Sequence, residues 1–295
     1  MKLGTFEYHE RRFLGVALDN GVADVSDIAQ SMLEFLEAGE VATEQVRKLA
    51  SKMPPESLIP YSQVRVCAPI DNPRKVVCIG LNYRDHANES GAKMPSEPVF
   101  FSKFATAIIG PEESIKLPRV SQQVDYEAEL AVIVGKRGKN IDRSRAFEYV
   151  AGYTAFNDVS ARDLQMRDGQ WIKGKALDTF APLGPYLVMR DEIPDPHKLA
   201  IRLWLNGSLM QNSSTQNLIF GIPQVIEYLS QLFTLEPGDI IATGTPSGVG
   251  FVRKPPVFLK PGDEVTVEVE RIGRLTNKVV GAQASSSPRR RTRQD

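Results

Sequence analysis

Cysteine is nearly absent: Cys67 and Cys78 are the only two in 295 residues. Their isolation excludes a disulfide framework and a thiolate metal site. Long apolar runs are missing too. The best, around Leu130 to Gly135, falls far short of the roughly 20 residues of a membrane span. The start of the chain, Met1 to Phe6, has no signal-peptide core and no Arg/Ser-rich transit pattern, so the expected compartment is the cytoplasm. A basic stripe is also lacking. Lys plus Arg and Asp plus Glu both total 36, but residues 289–295 hold four Arg and one Asp, which leaves 32 against 35 in the body. A mildly acidic body offers no nucleic-acid surface, so neither nucleic acid nor membrane is expected as a partner.

What is present is an ordinary globular composition, 42% hydrophobic and 24% charged. The length allows a large core without disulfides. Residues 1–70 read as a small α/β unit. Phe13 to Val25 alternates around Asp19-Asn20-Gly21, a hairpin signal. Ser26 or Asp27 is placed to cap a helix carrying Ile28, Met32, Leu33, Phe35 and Leu36, with Gly39 as its stop. A second helix from about Thr43 ends before Pro54-Pro55. Short β-type runs dominate residues 71–281, among them Lys75–Gly80, Val99–Phe104, Tyr126–Val134, Val150–Asn157 and Asp239–Thr243. They predict a large, mostly antiparallel architecture. An amphipathic helix over about Gly221–Phe233 packs on it. The Ser/Pro/Arg-rich end, residues 282–295, is expected to be a disordered basic tail.

The most informative segment is Val124-Asp125-Tyr126-Glu127-Ala128-Glu129-Leu130-Ala131-Val132-Ile133-Val134. On a strand, Glu127 and Glu129 share a face about 7 Å apart and repel each other. A divalent cation between them would turn that repulsion into attraction; a charged edge strand facing water is the plainer alternative. A third acid, Asp158, ends the run Val150–Asn157, and Ser160 is placed to open a helix after it. Two Glu and one Asp make an all-oxygen ligand set suited to Mg²⁺, Mn²⁺ or Ca²⁺ and unsuited to Zn²⁺ or Cu. Arg162 and Gln165 follow at i and i+3 and share a helix face. His86 and Glu89 have the same spacing, so the carboxylate can orient the imidazole; the alternative is a surface ion pair. Neither His9 nor His197 has comparable neighbours. Gly244-Thr245-Pro246-Ser247-Gly248 is a Gly-rich loop without the Lys-Ser/Thr of a P-loop, so nucleotide binding is not expected.

Three runs in this order, Val124–Leu130, Asn157-Asp158-Val159-Ser160-Ala161-Arg162-Asp163-Leu164-Gln165 and Gly244–Gly250, resemble the fumarylacetoacetate hydrolase (FAH) family over about Lys75 to Val280. The resemblance implies a mostly β fold with some α, an FAH-type mixed β-sandwich roll, in a homodimer. It implies one Mg²⁺ or Mn²⁺ on Glu127, Glu129 and Asp158. Lys175, in Trp171-Ile172-Lys173-Gly174-Lys175, matches a lysine beside the metal, with Lys173 a possible confusion. His86 and Glu89 match a general-base pair on a lid with Gly91 as hinge, and Arg162, Gln165 and Thr245 match substrate contacts. Members hydrolyse acylpyruvate C–C bonds, decarboxylate oxaloacetate or tautomerise 2-oxo acids. Animal members of the subgroup it most resembles are mitochondrial and associated with oxaloacetate tautomerase activity. The expected function is therefore enol–keto tautomerisation of oxaloacetate, with acylpyruvate hydrolysis or decarboxylation as alternatives through the same enolate.

Overall fold

A computed structural model describes residues 1–282; the tail expected from residue 282 onward lies, but for that residue, outside the described part. The β-rich architecture consists of two main sheets. The larger runs, in spatial order, Gly21–Asp24, Arg11–Leu18, Lys2–Tyr8, Ala181–Met189, Val150–Asn157, Ala128–Val134, Ile240–Ala242, Val76–Gly80 and Val99–Lys103. The smaller contains Ser208–Ser214, Ala200–Leu205, Glu264–Val269, Gly273–Val280 and Ile115–Lys116. Pairing is mostly antiparallel; Ile240–Ala242 with Val76–Gly80 is a parallel exception. The N-terminal hairpin turns at Leu18↔Gly21, and Leu3 pairs with Leu187, so the first strands continue the large sheet across the expected boundary at residue 70.

Ala128–Val134 is a central strand, buried along its whole length, which excludes the water-facing edge alternative. Its two faces feed two cores. Ala128, Leu130, Val132 and Val134 pack between the sheets, while Ala131 and Ile133 pack toward the helical side with Phe35, Leu36 and Val46. Burying each large aliphatic side chain is worth about 1.5–3 kcal/mol, which pins the register that carries the acids.

Local signals differ from the expectation in two places. The helix caps at Ser31, whose hydroxyl accepts from Glu34 N at 3.2 Å, rather than at Ser26 or Asp27. Ser26 instead belongs to a turn closed by Asp24, whose carboxylate takes both its N–H and its O–H. Gly39 breaks the helical stretch Met32–Lys52 with φ of 65°, a conformation open to glycine, as its stop signal requires. Ser160 opens no helix: Ser160–Ala161 pairs with Val124–Asp125, and the helix Arg162–Gln165 begins beyond it.

Candidate active site

Antiparallel register brings the acids together. Ala128 pairs with Asn157, so Glu127 stands beside Asp158, and Asp158 N donates to Glu127 O at 2.9 Å. Asn157 Oδ1 accepts from Glu127 N at 3.0 Å and fixes the start of the strand. One oxygen from each of Glu127, Glu129 and Asp158 lies within 4.8 Å of the others, and all three residues are buried.

Three cations surround them. Lys175 Nζ donates to Glu127 Oε2 at 2.7 Å and to Asp158 Oδ2 at 2.9 Å. Its neighbour Lys173 faces outward and pairs with Asp168, so Lys175 is the one of the two that lies beside the acids. Arg162 Nη2 lies 2.7 Å from Glu127 Oε1. Lys103, which local sequence did not single out, is as buried: its Nζ donates to the carbonyls of Val159, Lys175 and Phe180.

Burial opposes ionisation of Glu127, but the Lys175 ammonium and Arg162 guanidinium outweigh it and pull the carboxyl down to about 2. Glu129 has the opposite fate. Burial, then the Asp158 and Glu127 charges, push it well above the usual carboxylate range, against one hydrogen bond of 2.8 Å from Gly244 N. Asp158 Oδ1 is buried and accepts no hydrogen bond; Lys103 Nζ is 2.7 Å away, but its donors are aimed at the three carbonyls. An orphaned carboxylate oxygen, a carboxyl whose ionisation its burial and acidic neighbours oppose, and a convergent all-oxygen donor set fit a hard divalent cation. The three acids brought together are Glu127, Glu129 and Asp158, which the sequence singled out.

The helix Arg84–Ser90 carries His86 and Glu89, and it brings the His86 ring near enough for its charge to act on Glu127. His86 Nδ1 is 3.7 Å from Glu89 Oε2, and among the described residues it has no hydrogen-bond partner. Glu89 accepts from Gly248 N at 2.9 Å, so the carboxylate also ties the helix to the Gly-rich loop. Burial raises the Glu89 carboxyl, but the His86 ring beside it and the hydrogen bond from Gly248 N prevail and hold it low. Gly91 ends the helix with φ of 65°. Thr245 is buried, and its hydroxyl accepts from Gln211 Nε2 at 2.9 Å. Gln211 had no local signal, because the strand Ser208–Ser214 shows no clean alternation. Gln165 Oε1 accepts from Arg162 Nη1 at 3.0 Å. His197 has a role the sequence reading missed: Nε2 accepts from Ile222 N at 3.0 Å and caps the helix Ile222–Leu232.

Comparison with known proteins agrees with this architecture. The family profile described as Fumarylacetoacetate (FAA) hydrolase C-terminal matches residues 75–280. The chain belongs to the fumarylacetoacetate hydrolase family. A Rattus norvegicus protein named "Oxaloacetate tautomerase Fahd2a, mitochondrial" is 50% identical over 269 residues, 89% of this chain and 85% of its own. The "Fumarylacetoacetate hydrolase domain-containing protein 2 homolog" of Dictyostelium discoideum is 48% identical over 283 residues, 90% of this chain and 92% of its own. Among solved structures, maleylpyruvate hydrolase from Sphingobium sp. SYK-6, in complex with manganese(II) ion and pyruvate, superposes with a TM-score of 0.81 at 30% identity, covering 96% of this chain and 100% of that one.

Proposed function

We propose that the protein is a divalent-cation-dependent enzyme that interconverts the enol and keto forms of oxaloacetate. The observation that carries this reading is the buried triad Glu127, Glu129 and Asp158 with Lys175 between two of its members and the His86–Glu89 pair above it. The relatives named oxaloacetate tautomerase, at about half identity over most of the chain, support the substrate. A cation held by the triad, Mg²⁺ or Mn²⁺ before Ca²⁺, would supply Lewis-acid stabilisation for charge on the 2-oxo oxygen.

The chain's own groups do the rest. Ketonisation takes a proton from O2 and adds one at C3, so no net proton is gained or lost. His86, oriented by Glu89 through Nδ1, moves that proton with its other ring nitrogen. Lys175 adds positive charge beside the developing enolate. The Thr245 hydroxyl, already an acceptor for Gln211, keeps its hydrogen for a substrate oxygen. Gln165 provides a further polar contact.

The test follows enol-oxaloacetate absorbance with and without Mn²⁺, with pyruvate measured in parallel. Cation-dependent loss of the enol band without pyruvate supports tautomerisation. Pyruvate release rejects it in favour of decarboxylation, and turnover of acylpyruvates alone rejects it in favour of C–C hydrolysis. The same reading takes the protein as a homodimer, which sedimentation checks. No helix of the described residues is long and apolar enough to cross a membrane. The names of the relatives support the mitochondrion and give no support to the cytoplasm expected from the sequence.

A further inference from the structure

The Gly-rich loop Gly244–Gly248 runs from the acids to the His86–Glu89 pair and is held at both ends. Gly244 N donates to Glu129 Oε2 at 2.8 Å, and Gly248 N donates to Glu89 Oε2 at 2.9 Å. Between these ends lie Thr245 and Pro246. The side chain that reaches both is Gln211, on the strand Ser208–Ser214 and only 1% exposed. That strand packs directly against the loop: a Cβ on Gly248, where φ is 101°, would lie 2.2 Å from Met210 O.

The Gln211 amide has both of its hydrogens engaged. Oε1 accepts from Ala128 N at 2.9 Å, and Nε2 donates to Thr245 Oγ1 and to Pro246 O, each at 2.9 Å. The partners dictate this orientation. A backbone N–H can only donate and a carbonyl can only accept, so a flipped amide would set like against like at both Ala128 and Pro246. Nε2 therefore stays toward Thr245, and the Thr245 hydroxyl can only accept from it. The hydroxyl's own hydrogen goes to no acceptor among the described residues and is left for a ligand. Ala128 is also the residue between Glu127 and Glu129, so one amide ties the strand that carries the acids to the loop beside them.

We propose that Gln211 is a positioning residue that sets the polarity of Thr245, turning its hydroxyl into a donor for an anionic oxygen of the substrate, a carboxylate or enolate oxygen of a 2-oxo acid. The proposal rests on the function proposed above and adds to it the residue that prepares the loop for negative charge.

The test measures KM and kcat for oxaloacetate at saturating Mn²⁺, with Mn²⁺ affinity read separately by calorimetry without substrate. Gln211→Glu keeps the volume and the acceptor for Ala128 N, but it sets a second oxygen against Thr245 and turns the hydroxyl's hydrogen inward. Expected is a KM about 10–100-fold higher, the range for losing a hydrogen bond to a charged group, with kcat changed less than threefold and Mn²⁺ affinity not weakened. Thr245→Val removes the hydroxyl and should raise KM as much. Thr245→Ser keeps it and should stay within threefold of the wild type. The double variant of Gln211→Glu with Thr245→Val should be no worse than the worse single one. Additive losses would mean that the new carboxylate repels substrate by itself, and they overturn the proposal, as does an unchanged KM in Gln211→Glu. A joint fall of kcat and Mn²⁺ affinity in that variant marks a merely structural role and overturns it too. If Gln211→Glu does not fold, the threonine variants decide: equal KM values in Thr245→Val and Thr245→Ser overturn the proposal, and a rise confined to Thr245→Val upholds it. Wild-type protein that leaves enol-oxaloacetate unchanged overturns the proposed function as well, and so stands apart from these outcomes.

Discussion

Lys103 Nζ sits 2.7 Å from Asp158 Oδ1 yet spends its three N–H bonds on the carbonyls of Val159, Lys175 and Phe180. The ammonium therefore compensates the aspartate's charge without filling its lone pair. It also fixes the chain on both sides of the site, since one carbonyl follows Asp158 and another belongs to Lys175. Counting Asp125, four buried carboxylates face three buried cations, Lys103, Arg162 and Lys175.

Replacing Lys103 with Met keeps the bulk and removes the charge. Asp158 loses a buried counterion and three carbonyls lose their donor, so unfolding by urea should show a loss of about 3–5 kcal/mol. A loss under 1 kcal/mol would mean that the ammonium contributes little to holding this end of the sheet.

Glu129→Gln should separate stability from metal binding. In the wild-type protein without a cation, Glu129 is pushed toward its neutral form by burial and by its acidic neighbours. A neutral amide suits that environment, so the variant's melting temperature without metal should equal or exceed the wild type's. Wild-type protein should gain about 2.7 kcal/mol at a Mn²⁺ concentration one hundred times the Kd, and the variant should gain nothing. A retained Mn²⁺ shift in the variant would remove Glu129 from the ligand set.

His86→Ala should leave Mn²⁺ affinity unchanged and lower kcat about 10²–10⁴-fold, the usual contribution of a positioned acid–base group. Calorimetry and the enol assay read the two effects separately. Full activity in this variant would assign proton transfer to another group.

The tie between Glu89 and Gly248 gives a pH dependence of definite sign. The folded-state carboxyl is held below its ordinary value, so its contribution is present above that value, about 4.3, and disappears as pH falls through the depressed one. Hydrogen exchange at Gly248 and along Arg84–Ser90, corrected for the intrinsic rate, should lose protection in that acidic window. Glu89→Gln should flatten the change, and an equal loss in this variant would show that another group governs it.

The strand Val150–Asn157, the Asn-Gly turn and the Gly39 stop were legible because each depends on neighbours within a few residues. So were the acids, whose type and order matched a family pattern, and the His86–Glu89 pair, whose spacing suffices on one turn of helix. Lys103 and Asp125 look in the chain like ordinary surface charges. Their burial arises from Lys103 at the edge of the large sheet and from the short pairing of Val124–Asp125 with Ser160–Ala161. His197 likewise becomes a cap only when it meets Ile222, 25 residues away. Amino-acid order thus prescribes local conformation and the chemical groups on hand. Which of those groups lose their water, and which charge each then faces, follows from strand register across the sheet, where partners distant in the chain come within hydrogen-bond reach.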